Sequence, residues 1–192
     1  GFFVLGTICG VCHLLPFDIA ETNISYYALC ALMFSVGLSV GNDPQTLKNF
    51  RSLNPRLVFL PIMTILGTLA GSAAVSLILT HRSITDCLAV GSGFGYYSLS
   101  SIFITEYKGA ELGTIALLAN ISREILTLLA APLLVRWFGN LAPISAGGAT
   151  TMDTTLPIIT RTAGQQFVVV SIFHGFVVDF SVPFLVTLFC SI

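Results

Sequence analysis

Apolar runs at about residues 1–16, 24–41, 57–80, 84–105, 110–138, 142–160 and 165–191, separated by short polar or Gly/Pro-containing turns, leave this chain little prospect of folding in water. A hydrocarbon core about 30 Å thick takes about 20 helical residues to cross. The 192 residues therefore suffice for about seven crossings, with loops too short for an extramembrane domain. Residues of the AVILMFWYC class make up 55% and charged residues 9%, the balance of a polytopic helical membrane protein. The expected fold is all-α, one transmembrane domain over residues 1–192, with two of its segments broken at mid-membrane. A net charge of −1 excludes nucleic acid as a partner, since phosphate binding needs a surplus of Lys and Arg.

The loop of residues 41–56 carries Lys48, Arg51 and Arg56, whereas the turn before it holds Asp18 and Glu21 and no base. By the excess of Lys and Arg on cytoplasmic loops, the former is expected inside. Seven crossings then place the C-terminus outside, with Arg82 and Arg136 outside and Lys108 and Arg161 inside. Residues 1–17 lack the basic n-region of a signal peptide and read as a retained helix. Gly6/Gly10 and Gly67/Gly71 are GxxxG pairs, read as places where helices of the same chain pack closely.

Two runs are interrupted. Residues 145–161, SAGGATTMDTTLPIITR, set Gly147 and Gly148, Asp153, Pro157 and the hydroxyls of Thr150, Thr151, Thr154 and Thr155 between apolar stretches. Residues 91–100, GSGFGYYSLS, interrupt an earlier run with three glycines followed by Tyr96, Tyr97, Ser98 and Ser100. Lipid cannot satisfy free N–H and C=O groups, so backbone that breaks at membrane depth must be buried in protein or line a cavity. Paired interruptions point to a transporter site built from broken helices. Thr oxygens and free carbonyls supply neutral ligands for a cation and Asp153 a charge, while a half-helix N-terminus suits a carboxylate. The alternative is an exposed loop in which Asp153 caps a helix. For the earlier run, Tyr97 and Ser98 can orient a substrate, or the glycines serve only tight helix crossing.

The run at 110–138 places Asn120, Arg123 and Glu124 near its middle, where an ionisable residue costs several kcal/mol unless paired, hydrated or neutralised. Asn120 and Glu124 share a helix face, and Arg123 lies about 100° round from Glu124. The set forms either a substrate or proton site, with Glu124 the proton-coupling candidate, or a structural ion pair to a neighbouring helix. In the last run His174 is either a gating or proton-relay group or a hydrogen-bonded packing residue. Asp179 diverges from it by about 140° and falls outside that site.

Cys9, Cys12 and His13 match the CxxCH pattern of haem attachment, but inside or at the rim of an apolar helix, which makes a membrane redox or haem subunit a remote alternative. Residues 37–41, GLSVG, match a nucleophile elbow without its strand. Cys30, Cys87 and Cys190 lack metal-ligand spacing and read as free thiols.

The segments SGFGYYSLSSIFITE, NISREILTLLAAPLL, GGATTMDTTLPIITRTAG and HGFVVDFSVPFLV, in that order, resemble the bacterial LysO lysine exporters, with the match covering roughly residues 25–190. The resemblance implies export of lysine, or a close cationic analogue, across the cytoplasmic (inner) membrane, and kinship with secondary transporters built from inverted repeats. It implies no catalytic chemistry, cofactor or metal. Glu124, Arg123, Asp153 and residues 91–100 would then lie on the transport path, with a proton or sodium ion as the coupling ion. Full-length members carry a further hydrophobic N-terminal portion, so the chain resembles a split or C-terminal-part version, completed by a homodimer or a second small membrane subunit. A small-ion antiporter or organic-acid carrier on a similar scaffold is the competing expectation.

Overall fold

Five of the apolar runs lie in the part of the chain that the computed structural model describes, residues 55–79 and 81–192. The two earlier runs, the pair Gly6/Gly10, the CxxCH and GLSVG motifs, Cys30 and the loop of residues 41–54 lie outside the described residues. Among the described residues every element is helical. They are α1 (Phe59–Ser76), α2 (Ile84–Gly91), α3 (Tyr97–Lys108), α4 (Ala110–Phe138), α5 (Ala142–Gly147), α6 (Leu156–Ala163) and α7 (Val168–Ser191), with short 3-10 turns at Pro55–Val58, Gly148–Met152 and Gln165–Phe167.

Among the described residues, α1, α4 and the helix ending in α7 are long and apolar enough to cross a bilayer. At 1.5 Å per residue the 29 residues of α4 reach about 43 Å, ample for the hydrocarbon core. Leu118, Ile125, Leu126, Leu129, Trp137 and Phe138 stand exposed along it, as apolar side chains facing lipid would. α7 buries one stripe, Val170, Ser171, His174, Gly175, Val178, Asp179, Val182, Val186 and Cys190, at helical spacing.

Each of the other two runs is broken into two short helices. Ser83 caps α2, its hydroxyl accepting from the Asp86 amide at 3.0 Å. The helix lasts only to Gly91, and the chain turns through residues 92–96 before α3 begins. Arg82, ahead of α2, forms an ion pair with Glu111, beyond the end of α3. Lys108, at the end of α3, lies 3.8 Å from Asp86 in α2. Both ends of this segment therefore sit at the same end of the bundle, and residues 84–108 form a helical hairpin. Gly109, at φ 93°, then reverses the chain into α4, and Gly113 lies so close to Thr105 that a Cβ there would strike its side chain.

The second hairpin, residues 142–163, enters from the opposite end. Ile144 of α5 and Ile159 and Ala163 of α6 share one buried cluster with Val170, and Leu57, Val135 and Leu141 pack around it. Those last residues mark the start of α1 and the end of α4. The expectation of about seven crossings counted both interrupted runs as spans; among the described residues three helices have the length and composition to cross. The interruptions are real, but each returns the chain to the side it came from. Arg82 consequently shares an end with Lys108, and Arg136 with Arg161, rather than Arg82 with Arg136. At the Gly67/Gly71 pair a Cβ meets no atom of the described residues within 4 Å. The close approach of α1 falls instead at Ser72, opposite Gly91.

Candidate functional site

The two hairpin tips meet. The Ala149 amide donates to the Phe94 carbonyl at 2.9 Å, and Phe94 itself sits at φ 45° with its side chain fully buried. Gly148, at φ 65°, faces the same carbonyl so closely that a Cβ would collide with it. A Cβ on Gly95 would stand 3.1 Å from the Gly147 carbonyl. Glycine is required at this junction because two backbones touch without side chains between them.

Broken helices leave amides and carbonyls without helical partners, and α4 supplies the replacements. Asn120, 3% exposed, accepts at Oδ1 from the Gly95 amide at 2.8 Å and donates through Nδ2 to the carbonyls of Ala116 (2.8 Å) and Val90 (3.3 Å). One turn along, Arg123 donates from Nε to Ala146 O at 2.8 Å and from Nη2 to Ser145 O at 3.0 Å, the carbonyls near the end of α5. Its Nη1 reaches Thr68 Oγ1 at 3.3 Å, and the guanidinium lies 5.9 Å from the Phe94 ring centroid, a cation–π contact. One helix thus holds both tips, with Asn120 on the first hairpin and Arg123 on the second.

A second layer of hydroxyls fixes the turn of the second hairpin. Thr150 donates to Gly147 O at 3.0 Å and pairs with the Thr155 hydroxyl at 3.2 Å. Thr151 donates to Gly148 O and Ser171 O at 2.8 and 2.9 Å and lies 3.2 Å from His174 Nδ1. His174, wholly buried, is 2.9 Å from Thr64 Oγ1 through Nε2, and Thr64 in turn donates to Ser145 Oγ at 3.1 Å. His174 is therefore hydrogen-bonded at both ring nitrogens, tying α7 to α1 and to the tip.

The remaining expected residues stand apart from this network. Glu124 is half-buried and makes no hydrogen bond or ion pair with the described residues. Asp153 and Thr154 are exposed on the second tip, the Asp153 carboxylate accepting from the Thr154 amide at 2.5 Å and from its hydroxyl at 3.3 Å. Tyr97 and Ser98 open α3, whose N-terminus has no side-chain cap, and Tyr97 is exposed. The network also recruits Thr64, Thr68 and Ser145, which sequence reading passes over. Their one signal is the four-residue spacing of Thr64, Thr68 and Ser72, which aligns three hydroxyls on one face of α1.

A cavity of about 840 Å³ leads to the junction. Its mouth is formed by His81, Arg82 and Asp86, its walls by apolar residues such as Val75, Leu79, Leu112 and Ile115, and its far wall includes Thr68, Asn120 and Arg123. Small-molecule sites occupy about 300–1,000 Å³ and combine apolar walls with a few convergent polar groups. This cavity has that size and that distribution.

Against known proteins, the profile of a family described as lysine exporter LysO matches residues 1–190. The chain is 36% identical over 191 residues to the lysine exporter LysO of Escherichia coli (strain K12), an alignment covering the whole of this chain and 62% of that protein. It is 36% identical over 165 residues to a putative lysine exporter of Haemophilus influenzae, covering 86% of this chain and 83% of that protein. The chain thus spans somewhat less than two thirds of the Escherichia coli relative's length. No solved structure matches.

Proposed function

This chain belongs to the LysO lysine exporter family, and from that premise we propose that it carries lysine out of the cytoplasm by alternating access, in exchange for a proton or a sodium ion. The observation that carries the reading is the cavity that ends where two re-entrant hairpins meet. Hairpins entering from opposite ends and touching at mid-depth place broken backbone where a solute can be reached from either side. The order long helix, hairpin, long helix occurs twice along the described chain, from α1 to α4 and from α4 to α7. That pattern supports kinship with inverted-repeat transporters.

Orientation follows from charge. The end holding Arg136 and Arg161 is also where α1 begins, directly after Lys48, Arg51 and Arg56 in sequence. The excess of basic residues assigns that end to the cytoplasm of an inner-membrane protein. The cavity mouth at His81, Arg82 and Asp86 then faces outward, as a release vestibule.

Lysine presents two ammonium groups and one carboxylate. Glu124 and Asp153 are the acids that meet the side-chain ammonium, since neither is bound to a described cation. Arg123 already serves Ser145, Ala146 and Thr68, so the substrate carboxylate goes to the uncapped start of α3, beside Tyr97 and Ser98. Thr154 lends an exposed hydroxyl, while Asn120, Thr150 and His174 hold the tips in register. The chain acts as a homodimer or together with a second small membrane subunit.

The test is efflux of labelled lysine from proteoliposomes under imposed proton and sodium gradients, with and without a companion membrane polypeptide. Glu124→Gln should abolish export while leaving membrane insertion intact. Unchanged efflux in that variant removes Glu124 from the site, and counterflow of other ions or organic acids but not of lysine removes the substrate assignment.

A further inference from the structure

Asp179 has no role in the network above, yet it is the one buried acid among the described residues. It lies on the buried stripe of α7, beside Val178 and Val182, and is only 4% exposed. Its Oδ1 has no hydrogen-bond partner, and no described cation pairs with it. An ionised carboxylate placed there has lost most of its water and gains no hydrogen bond at Oδ1 in return.

Its neighbourhood is defined by packing. Gly175, one turn earlier on α7, lies so close to the second hairpin that a Cβ there would stand 2.7 Å from the Met152 amide nitrogen. Asp179 is thus one turn from the tip that carries Asp153, and the two carboxylates are near enough for the charge of Asp153 to act on Asp179. Both charges also reach the Tyr96 hydroxyl, at the turn of the first hairpin. On elements packed against α7, Arg161 lies in the last turn of α6 and Glu106 in α3, and Asp153 is the charge that acts on Asp179. Asp86 of α2 and Lys108 of α3 act on Cys190, three turns further along, and Arg123 of α4 acts on His174. Two acids, one buried and one exposed, therefore share a site without a counter-charge.

We propose that Asp179 is the coupling group of the transport cycle, holding a proton while Asp153 lacks a cation and releasing it to water when the substrate's ammonium pairs with Asp153. Burial and a like charge nearby both disfavour an ionised Asp179. An ammonium at Asp153 cancels that charge and makes an ionised Asp179 tolerable. By linkage, a proton on Asp179 weakens ammonium binding at Asp153 by the same factor that the ammonium weakens proton binding. Proton and substrate then exclude one another, the condition for exchange. This deepens the lysine-exchange reading and rests on it.

The test uses the purified full chain. Lysine titrated into weakly buffered detergent solution with a pH dye should release protons from the wild type, and the Asp179→Asn protein should bind lysine without release. In proteoliposomes D179N should keep lysine–lysine exchange, which moves no net proton, but lose the response of efflux to a pH gradient, and D179E should restore it. A D179N protein that still follows the pH gradient overturns the inference, as does one that melts like the wild type but neither binds nor exchanges lysine. If D179N does not fold, infrared difference spectroscopy of the wild type decides. Loss of a protonated-carboxyl band on adding lysine supports the assignment, and its absence refutes it. A wild type that exchanges no lysine sinks the transport reading itself, an outcome distinct from all of these.

Discussion

The junction of the hairpin tips yields a sharp stability contrast. Gly148 and Gly109 both hold positive φ, 65° and 93°, so replacing either with alanine forces a side chain into a sparsely populated conformation at about 1–3 kcal/mol. Both substitutions also stiffen the unfolded chain by about 0.4–1 kcal/mol, which cancels in the comparison. The difference lies in surroundings. A Cβ at Gly109 meets no atom within 4 Å, whereas one at Gly148 strikes the Phe94 carbonyl, backbone that cannot swing aside. Relieving that clash must separate the tips and stretch the Ala149–Phe94 hydrogen bond. A lost backbone hydrogen bond costs about 1 kcal/mol and overpacking about 1–3 kcal/mol. Gly148→Ala should therefore be less stable than Gly109→Ala by about 2–4 kcal/mol on those scales. Thermal unfolding of the two variants in one detergent reads the difference as a drop in Tm on the order of 5–15 °C, by the scaling for domains of this size. Equal melting temperatures would refute a tip-to-tip junction, because only that junction distinguishes the two glycines.

Two further predictions concern topology and the surface. Single cysteines placed at Arg82 and Lys108 should react with an impermeant thiol reagent from the same face of the membrane, and those at Arg136 and Arg161 from the other. Labelling of the 82 and 108 positions from opposite faces would replace the first hairpin with a span. Arg82→Ala removes an ion pair whose side chains are 33% and 78% exposed, so its loss should change stability by no more than about 1 kcal/mol, whereas Arg123→Ala, which strips two carbonyls of α5 of their charged donor, should cost about 3–6 kcal/mol at about 1.5–3 kcal/mol per bond. Similar melting of the two variants would show that Arg123 does not hold the second tip.

Much of the architecture is legible in the residues. The run at 110–138 coincides with α4 from end to end, because an unbroken apolar stretch bounded by Gly109 and Gly139 has few other options in lipid. The two interruptions also fall where glycines and hydroxyls accumulate, since broken backbone needs residues without bulk and with spare hydrogen bonds. Asn120 and Arg123 stand out because a polar group mid-span is costly unless it has a task.

The task itself was open to two readings, substrate or structure, and only folded geometry shows Arg123 donating to Ser145 and Ala146 and Asn120 gripping Gly95. Whether a broken segment passes through the membrane or turns back is likewise invisible to local pattern. Both outcomes use the same apolar halves around the same glycines, and the choice rests on contacts between distant residues, Arg82 with Glu111 and Ile144 with Ile159. Sequence alone determined where the backbone must break, because hydrogen bonding in lipid is a local demand. The tertiary structure decided where the chain goes after the break, and left Asp179 buried with its Oδ1 unpartnered among the described residues, because those depend on which helices stand beside it.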